Sequence, residues 1–201
     1  GRAVTSAFPG VNNGADDFFA PLDVAGYNYS PQRYVPDHER VPQRVIAATE
    51  SFPADSFNYW MGVWNNSWVV GDFIWTAIDY IGESSIGSNG GNTPGIDACG
   101  GYCPMGWSYH ISFCGDLDLV GQRKPQSYYR AVLWNNSQLE MAVHAPVPAG
   151  QHEVIASWGW PDERQSWSWP QHENESLSVR VFSRHAQVML LLNNKPVPSV
   201  S

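Results

Sequence analysis

Three short clusters of polar and aromatic residues carry the chemistry that this sequence could perform. Each cluster ends a run of small or apolar residues that has the pattern of a buried strand. The clusters are Tyr27-Asn28-Tyr29, Thr49-Glu50-Ser51, and Trp75 with Asp79. A carboxylate, phenolic hydroxyls, an amide and an indole suit the binding of a sugar. Hydrolysis of a glycosidic bond would need a second carboxylate on the other side of that bond.

Glu50 is the carboxylate that stands out, because the apolar run Val45-Ile46-Ala47-Ala48 leads directly to it. Burying a charge beyond a strand is costly unless the charge has a partner or a purpose. Two interpretations stay open from the pattern alone. Glu50 is either a working group of an active site or a strand-end acid paired with a nearby base such as Arg44. Asp79 has the same ambiguity, since it could bind substrate hydroxyls or anchor a loop.

The elements that must position these residues alternate between strands and connections. The stretches LDVAGYNYS, RVIAATES and WVVGDFIWTAIDY are predicted strands, SFNYWMGVWNNS a short helix, and PQRYVPDHERVPQ a connection or short helix. The first twenty residues show no periodicity and are predicted to be loop. This alternation is typical of a β/α barrel, whose catalytic groups project from the carboxyl ends of the strands. A closed eight-stranded barrel usually needs about 250 residues, so the repeats here are too few.

The second half has a different pattern. Residues 82–115 are rich in Gly, Ser, Asn and Pro, which predicts a long functional or capping loop, and KPQSYYRAVLW is a predicted helix with Pro125 near its start. From about residue 136, HEVIASWGW, SLSVRVFS and AQVMLLLNNKPV have the pattern of β-sandwich strands, with Asn193-Asn194 at a hairpin turn. We therefore predict an α/β part over residues 1–135 and an all-β part over residues 136–201.

Composition and charge exclude several classes of partner. The net charge of -8 argues against a nucleic-acid partner, which would require basic patches. The apolar run from Val188 to Leu192 is far too short to span a membrane, so no membrane insertion is expected. The 10 Trp, 9 Tyr and 8 Phe side chains suit a large core or stacking platforms for sugar rings. No cofactor motif is present.

The cysteines and the glycosylation sequons bear on the compartment. Cys99, Cys103 and Cys114 have a poor zinc pattern, so no metal is expected, and one local disulfide with one free thiol is predicted. The pairing of Cys99 with Cys114 is one of the options. Asn-x-Ser sequons begin at Asn28, Asn65, Asn135 and Asn174. We expect Asn28 to be an unglycosylated site residue and the other three to be glycan candidates, which favours an extracellular or secretory protein.

A series of motifs in a fixed order resembles glycoside hydrolase family two. The series is LDVAGYNY, TES, GDFIWTAIDYIGE, GDLDLVGQRKPQSYYRAVLW, AVHAP and WGWPDERQSWSW, and it extends from about residue 21 to 195. The resemblance is to the β-galactosidase-like members, in which a catalytic (β/α)8 TIM barrel is followed by immunoglobulin-like domains. It implies that residues 1–135 hold barrel strands six to eight and that residues 136–201 hold a linker and the start of an immunoglobulin-like β-sandwich.

The resemblance also implies a role for each matched residue. Glu50 of the TES motif corresponds to the catalytic nucleophile, and Tyr27 or Tyr29 to the tyrosine that hydrogen-bonds it. Trp75 corresponds to a tryptophan that lines the sugar pocket, and Asn28 and Asp79 are expected to contact the substrate. Lys124 is expected to be structural. The four tryptophans of the linking region are expected to pack between the two parts rather than line the pocket: Trp158, Trp160, Trp167 and Trp169.

One element of the family is missing from the sequence. The general acid/base of the family lies in an Asn-Glu pair that precedes the Glu50 region, and the only such pair here, Asn174-Glu175, lies far downstream. We therefore expect a piece of a larger retaining glycosidase that is inactive alone and is completed by a missing N-terminal part. The substrate would be a β-linked carbohydrate, with β-glucuronidase or β-mannosidase specificity as variants. The alternative is a catalytically silent structural or carbohydrate-binding protein of an extracellular assembly. Self-association as a homo-oligomer stays open.

Overall fold

The amino-terminal half builds a four-stranded parallel sheet in the order β1–β2–β3–β4. The computed structural model describes residues 1–88, 90–91, 110–150 and 152–197. The strands are β1 (Thr5–Pro9), β2 (Val24–Asn28), β3 (Ile46–Ser51) and β4 (Val69–Ile74). The connections hold the helices α1 (Asp16–Phe19), α2 (Tyr34–Arg40) and α3 (Ser56–Asn65), each preceded by a 3-10 turn. Because helices connect parallel strands, all four carboxyl ends meet at one edge of the sheet.

The helices cover one face of this sheet and form the main core with it. Alternate residues of the strands, such as Ala25, Tyr27 and Ile46, are buried against Phe19 and Tyr34 of the helices. Strand residues point alternately to opposite faces, so every second position reaches the helical layer. Burial of these side chains stabilises the sheet and fixes the positions of the strand ends.

The sheet agrees with the sequence prediction at three strands and corrects it at the fourth. The predicted strands in LDVAGYNYS, RVIAATES and WVVGDFIWTAIDY are confirmed as β2, β3 and β4. The first twenty residues are not loop, because β1 pairs in parallel with β2 from Thr5↔Val24 to Pro9↔Asn28. Gly26 permits this close pairing, since a Cβ there would collide with the carbonyl group of Ser6. Among the described residues the four strands form an open sheet, not a closed barrel.

A fourth helix, α4 (Pro125–Leu133), joins the sheet to the downstream part. It confirms the helix predicted in KPQSYYRAVLW, with Pro125 in its first turn, where a missing N–H costs nothing. Its buried Arg130 donates to Asp116 at 2.7 Å and lies 3.7 Å from Asp72 of β4. These charges stay paired out of water, which ties α4 to the sheet.

Short antiparallel strands follow β4, three of them before α4 and the others in the downstream part after it. They are β5 (Tyr80–Ile81), β6 (Gly90–Gly91), β7 (Ile111–Ser112), β8 (Leu139–His144), β9 (Glu153–Val154), β10 (Glu163–Arg164), β11 (Val179–Ser183), β12 (Leu191–Leu192) and β13 (Lys195–Pro196). β8 lies between β10 and β11 in a three-stranded sheet. β12 and β13 form the predicted hairpin, with Asn193 and Asn194 both at positive φ. The assignment of these strands to an immunoglobulin-like domain stays a prediction.

Candidate active site

Glu50 lies at the carboxyl edge of the sheet, where the strand-end clusters meet. It is half-exposed near the end of β3 and is paired across the sheet with Asn28 of β2. On its other side, the backbone N–H of Trp75 donates to the carbonyl of Ser51 at 3.2 Å. The clusters that the sequence spaces over fifty residues are therefore neighbours in the structure.

Tyr29 is the tyrosine that contacts Glu50. Its backbone N–H donates to the Glu50 carbonyl at 2.9 Å, and its hydroxyl interacts electrostatically with the Glu50 carboxylate. Burial raises the pKa of the Tyr29 phenol above its usual value, the Trp158 indole lowers it, and the neighbouring Glu50 carboxylate raises it. Tyr29 has a φ of 51°, in the left-handed region that non-glycine residues rarely adopt. This backbone directs its side chain towards Glu50.

Tyr27 lies in the core and is not brought to Glu50. Its side chain is fully buried, its hydroxyl donates to Asp37 at 2.9 Å, and Arg44 donates to its oxygen at 3.1 Å. Burial raises the pKa of Tyr27 to about 12. Arg44 in turn forms an ion pair with Asp16 at 2.6 Å, so the base considered as a partner of Glu50 is engaged on the helical face.

Asn28 is held with its side chain at the same edge. It is 5% exposed, and its amide oxygen accepts a hydrogen bond from the Thr49 hydroxyl at 2.7 Å. This bond orients the amide group, so that its N–H donors have a fixed direction. Such burial suits a site residue better than a glycan acceptor, and the role of Asn28 as an unglycosylated site residue stays a prediction.

Trp75 lies just beyond β4, beside a second tyrosine–carboxylate pair. Its ring is perpendicular to that of Tyr80, with 6.1 Å between the ring centroids. The Tyr80 hydroxyl donates to Glu83. Burial, followed by the bond to Glu83, raises the pKa of Tyr80 to about 12. Trp75 is therefore held in place at the rim of the carboxyl edge.

Asp79 has the contacts of a loop anchor. It is buried, accepts from Lys124 at 2.8 Å and accepts from the backbone N–H of Gly115 at 2.7 Å. Of the two roles that the sequence left open for Asp79, these contacts favour the structural one. Lys124, expected to be structural, fulfils that expectation as its partner.

Trp158 and Phe52 complete the surroundings of Tyr29. The indole N–H of Trp158 donates to the Tyr29 hydroxyl oxygen at 2.7 Å. The Phe52 ring stacks on Tyr29 with 4.2 Å between centroids and meets Trp158 edge-on at 5.1 Å. Trp158 thus packs between the two parts, as expected, and in addition donates to Tyr29. Trp160 packs instead in a second buried cluster with Tyr128, Val132 and Phe182. No local motif distinguishes these two tryptophans.

Cys114 is buried near the site and carries a free thiol. Burial raises its pKa to about 12, so the thiol stays protonated at neutral pH. The Cys99–Cys114 pairing, one of the options from the sequence, stays a prediction, because Cys99 lies outside the described residues. Cys99 and Cys103 lie outside the described residues, as does most of the predicted loop over 82–115.

The described residues contain neither a metal-binding cluster nor a membrane-spanning helix. No three His, Cys, Asp or Glu side chains converge there, and no described helix is long and apolar enough to cross a bilayer. The three glycan candidates, Asn65, Asn135 and Asn174, are exposed, as glycosylation requires. Their glycosylation stays a prediction.

Two crystal structures of glycosyl hydrolase family 2 members from Bacteroides cellulosilyticus are similar to this chain. One is 39% identical with a TM-score of 0.85, and the other is 37% identical with a TM-score of 0.75. Each similarity covers 98% of this chain but only 25% and 23% of the respective relative. The chain thus spans about a quarter of their length. A scan against protein-family models and a search of curated proteins each gave no match.

Proposed function

From the premise that this chain belongs to glycosyl hydrolase family 2, we propose that it carries the nucleophile of a retaining, β-galactosidase-like glycosidase. The observation that supports this most is the contact of Tyr29 with Glu50 at the carboxyl edge of the sheet, where the Tyr29 backbone N–H donates to the Glu50 carbonyl at 2.9 Å and the phenol interacts with the carboxylate. Catalytic groups of β/α barrels lie at this edge. A half-exposed carboxylate that is oriented by a phenol there suits attack on a substrate from the open side.

Glu50 would act in two steps. Its carboxylate oxygen attacks the anomeric carbon as the glycosidic C–O bond breaks, and the departing oxygen takes a proton from a general acid. The product is a covalent glycosyl ester of Glu50. Water then attacks the same carbon and loses a proton to the residue that acted as the general acid in the first step and now acts as a base. The bond between that carbon and the Glu50 oxygen breaks, which restores the Glu50 carboxylate. Tyr29 stabilises the Glu50 carboxylate before attack and after release.

The general acid/base would come from an N-terminal part that completes the enzyme. The relatives are about four times as long as the matched region. The sheet described here has open edges at β1 and β4, which suits further barrel strands pairing there. On this proposal, residues 1–135 form the last strands of a (β/α)8 barrel and residues 136–201 begin an immunoglobulin-like domain. We call this chain joined to that part the complete enzyme.

Asn28 and Trp75 would bind the sugar. The amide of Asn28 is oriented by Thr49 and lies on the strand next to Glu50. Trp75 offers an aromatic face at the rim, which suits stacking on the apolar face of a sugar ring. Asp79 is not assigned to substrate, because Lys124 and Gly115 occupy its carboxylate. We further propose a secretory or extracellular location, which the exposure of Asn65, Asn135 and Asn174 supports.

A mechanism-based cyclophellitol-type probe tests the nucleophile. We expect the complete enzyme to be labelled on the peptide that holds Glu50, with one covalent adduct by mass spectrometry and none in Glu50→Gln. A matched carboxamide change at the exposed Glu39 should leave labelling intact. An adduct on another residue would exclude the assignment. Sugar binding without any adduct would support the silent carbohydrate-binding alternative instead.

A further inference from the structure

Trp158 reaches the proposed site from 129 residues away in the sequence. It belongs to the downstream part, between β9 and β10, whereas Tyr29 and Glu50 belong to the parallel sheet. Its indole N–H donates to the hydroxyl oxygen of Tyr29 at 2.7 Å, and Tyr29 in turn donates its backbone N–H to the Glu50 carbonyl at 2.9 Å and turns its phenol to the Glu50 carboxylate, with which it interacts. We propose that Trp158 is a positioning residue for the Glu50 nucleophile and acts through the Tyr29 hydroxyl. This inference rests on the proposed function.

The hydrogen-bond capacity of a phenol explains why this contact orients Glu50. A tyrosine hydroxyl has one hydrogen to donate and lone pairs that accept. An indole N–H can only donate, so the contact of Trp158 occupies an acceptor position of the Tyr29 oxygen. The hydrogen of Tyr29 is then directed to the Glu50 carboxylate. Without the indole, the hydroxyl could rotate or bind water in other geometries.

Electrostatics act in the same direction. Hydrogen bonds in a chain polarise one another, so a donor to the Tyr29 oxygen makes its O–H a stronger donor. Burial raises the pKa of Tyr29, the bond from Trp158 lowers it, and the bond to Glu50 raises it. The phenol stays protonated and able to donate over the working pH range. The carboxylate therefore receives a stronger and better-aimed hydrogen bond than Tyr29 alone would provide.

Aromatic packing fixes the orientation of the Tyr29 ring. Phe52 stacks on Tyr29 at 4.2 Å, and the Trp158 ring stands nearly perpendicular to Tyr29 at 5.6 Å between centroids. The Tyr29 ring therefore lies between two aromatic side chains: Phe52, two residues after Glu50 on the sheet side, and Trp158 from the downstream part. The three rings leave the Tyr29 side chain little freedom to turn away from Glu50.

The backbone of Trp158 is itself held against the sheet-side loops. Gly87 has a φ of +74°, and a Cβ there would lie 2.9 Å from the carbonyl oxygen of Trp158 and 2.9 Å from the backbone N of Cys114. The carbonyl of Cys114 accepts from the N–H of Thr76, which follows Trp75. Trp158 is thus packed in place rather than carried on an isolated loop, which is what positioning requires.

A tryptophan-to-phenylalanine change removes the donor and keeps an aromatic ring. In the complete enzyme we expect Trp158→Phe to lower kcat about tenfold and to leave KM within about twofold, because substrate contacts are unchanged. Trp160→Phe is the matched control. It lies two residues away, and its indole N–H donates to Glu163 at 2.9 Å rather than to Tyr29. We expect this variant to keep its kcat within about twofold.

A double-mutant cycle separates positioning from simple packing. If Trp158 acts through the Tyr29 hydroxyl, its effect should vanish once that hydroxyl is absent. We expect Trp158→Phe to change kcat by less than about twofold in a Tyr29→Phe background. Independent, multiplicative losses would overturn the inference, as would a single variant that behaves like Trp160→Phe. If Trp158→Phe gives no folded enzyme, Trp158→Met, whose thioether also has no hydrogen to donate, replaces it in the cycle with the same expected outcomes.

The two proposals fail in different ways. If the cyclophellitol-type probe labels Glu50 but the cycle shows no coupling, the nucleophile assignment stands and the role of Trp158 is wrong. If the probe labels another residue, the nucleophile assignment fails, and the positioning role of Trp158 is overturned with it. Labelling of Glu50 together with strong coupling supports both.

Discussion

Tyr27 and Tyr29 lie two residues apart at the end of one strand, yet they belong to different regions. Tyr27 lies in the region that stabilises the sheet, where its hydroxyl joins Asp37 and Arg44 under the helices. Tyr29 lies at the open carboxyl edge, where its hydroxyl joins Glu50 and Trp158. The residue type is the same, and the environment decides the role. The first region is a buried ionic network, and the second is an accessible hydrogen-bond relay.

The backbone explains how neighbours in sequence reach opposite environments. Residues i and i+2 of a regular strand point to the same face. The register between β2 and β3 shifts between Tyr27 and Asn28, and Tyr29 adopts a left-handed φ of 51°. The alternation therefore stops at the point where the site begins. Strained positions of this kind are often found at functional sites, because the surrounding structure must hold them.

Substitution of the carboxylates next to the two tyrosines, Glu50 beside Tyr29 and Asp37 beside Tyr27, gives the strongest test of the different roles of the two regions. We expect Glu50→Gln to lower kcat/KM of the complete enzyme about a thousandfold or more, because the amide cannot form the glycosyl ester. The thermal midpoint should change little, since Glu50 is half-exposed. Steady-state kinetics and calorimetry on the same preparation measure both. A Glu50→Gln enzyme with near-normal turnover would remove the distinction between the regions.

The corresponding change at Asp37 should have the opposite result. Asp37 is fully buried and accepts from Arg33 at 2.5 Å and from Tyr27 at 2.9 Å. Asp37→Asn leaves the arginine without its charge partner, so we expect a loss of about 3–5 kcal/mol in the free energy of unfolding. Denaturant titration measures this loss. Folded Asp37→Asn enzyme should keep its kcat below the unfolding transition, and a kcat loss as large as that of Glu50→Gln would contradict the comparison.

Phenylalanine variants compare the two hydroxyl groups directly. We expect Tyr29→Phe to lower kcat about a hundredfold, as loss of an oriented donor does in other active sites. Tyr27→Phe should lower the free energy of unfolding by about 1–3 kcal/mol, because it leaves the buried Asp37 with one donor fewer. Kinetics and unfolding of both variants complete a two-by-two comparison. Equal effects of the two variants on kcat would show that the division is wrong.

Most helices and strands of the parallel sheet could be predicted from the sequence, because short local patterns determine them. β2, β3, β4, α3 and α4 follow from apolar runs, helical spacing and Pro125, all of which act within about ten residues. β1 was missed, because its five residues, TSAFP, are mostly exposed and show no buried face. β1 forms because it pairs with β2 and because Gly26 has no Cβ that would collide with it. Neither condition can be recognised from the residues TSAFP alone.

The site was accessible only in part. The resemblance pointed to Glu50 as the candidate nucleophile and left Tyr27 and Tyr29 undecided, since a register shift and a positive φ have no reliable sequence signal at a tyrosine. Trp158 could not be distinguished from Trp160 for a similar reason. The two differ by which core or loop they meet after folding, through contacts with residues far away in the sequence. Long-range packing thus determines the roles that local patterns leave open.

The smallest expected effect concerns Asp16, whose ion pairs with Arg40 and Arg44 lie at the exposed border of the Tyr27 region. Hydrogen bonds from Arg40 and then Arg44 lower the pKa of Asp16 to about 2, from 3.8. A lowered carboxyl pKa contributes stability above the unfolded value of 3.8 and loses it as the pH falls through about 2. Asp16 is partly exposed, so solvent screens the pairs, and Asp16→Asn should lower the midpoint by only about 1 °C at pH 7. The difference should shrink as the pH falls from about 4 towards about 2.

Asp17→Asn, a change at the exposed neighbouring residue, is the control and should show no such pH dependence. Asp16 is linked through Arg44 to Tyr27 and not to Tyr29. Probe labelling of Glu50 should therefore be unchanged in both variants. Altered labelling in Asp16→Asn alone would show that the two regions are coupled.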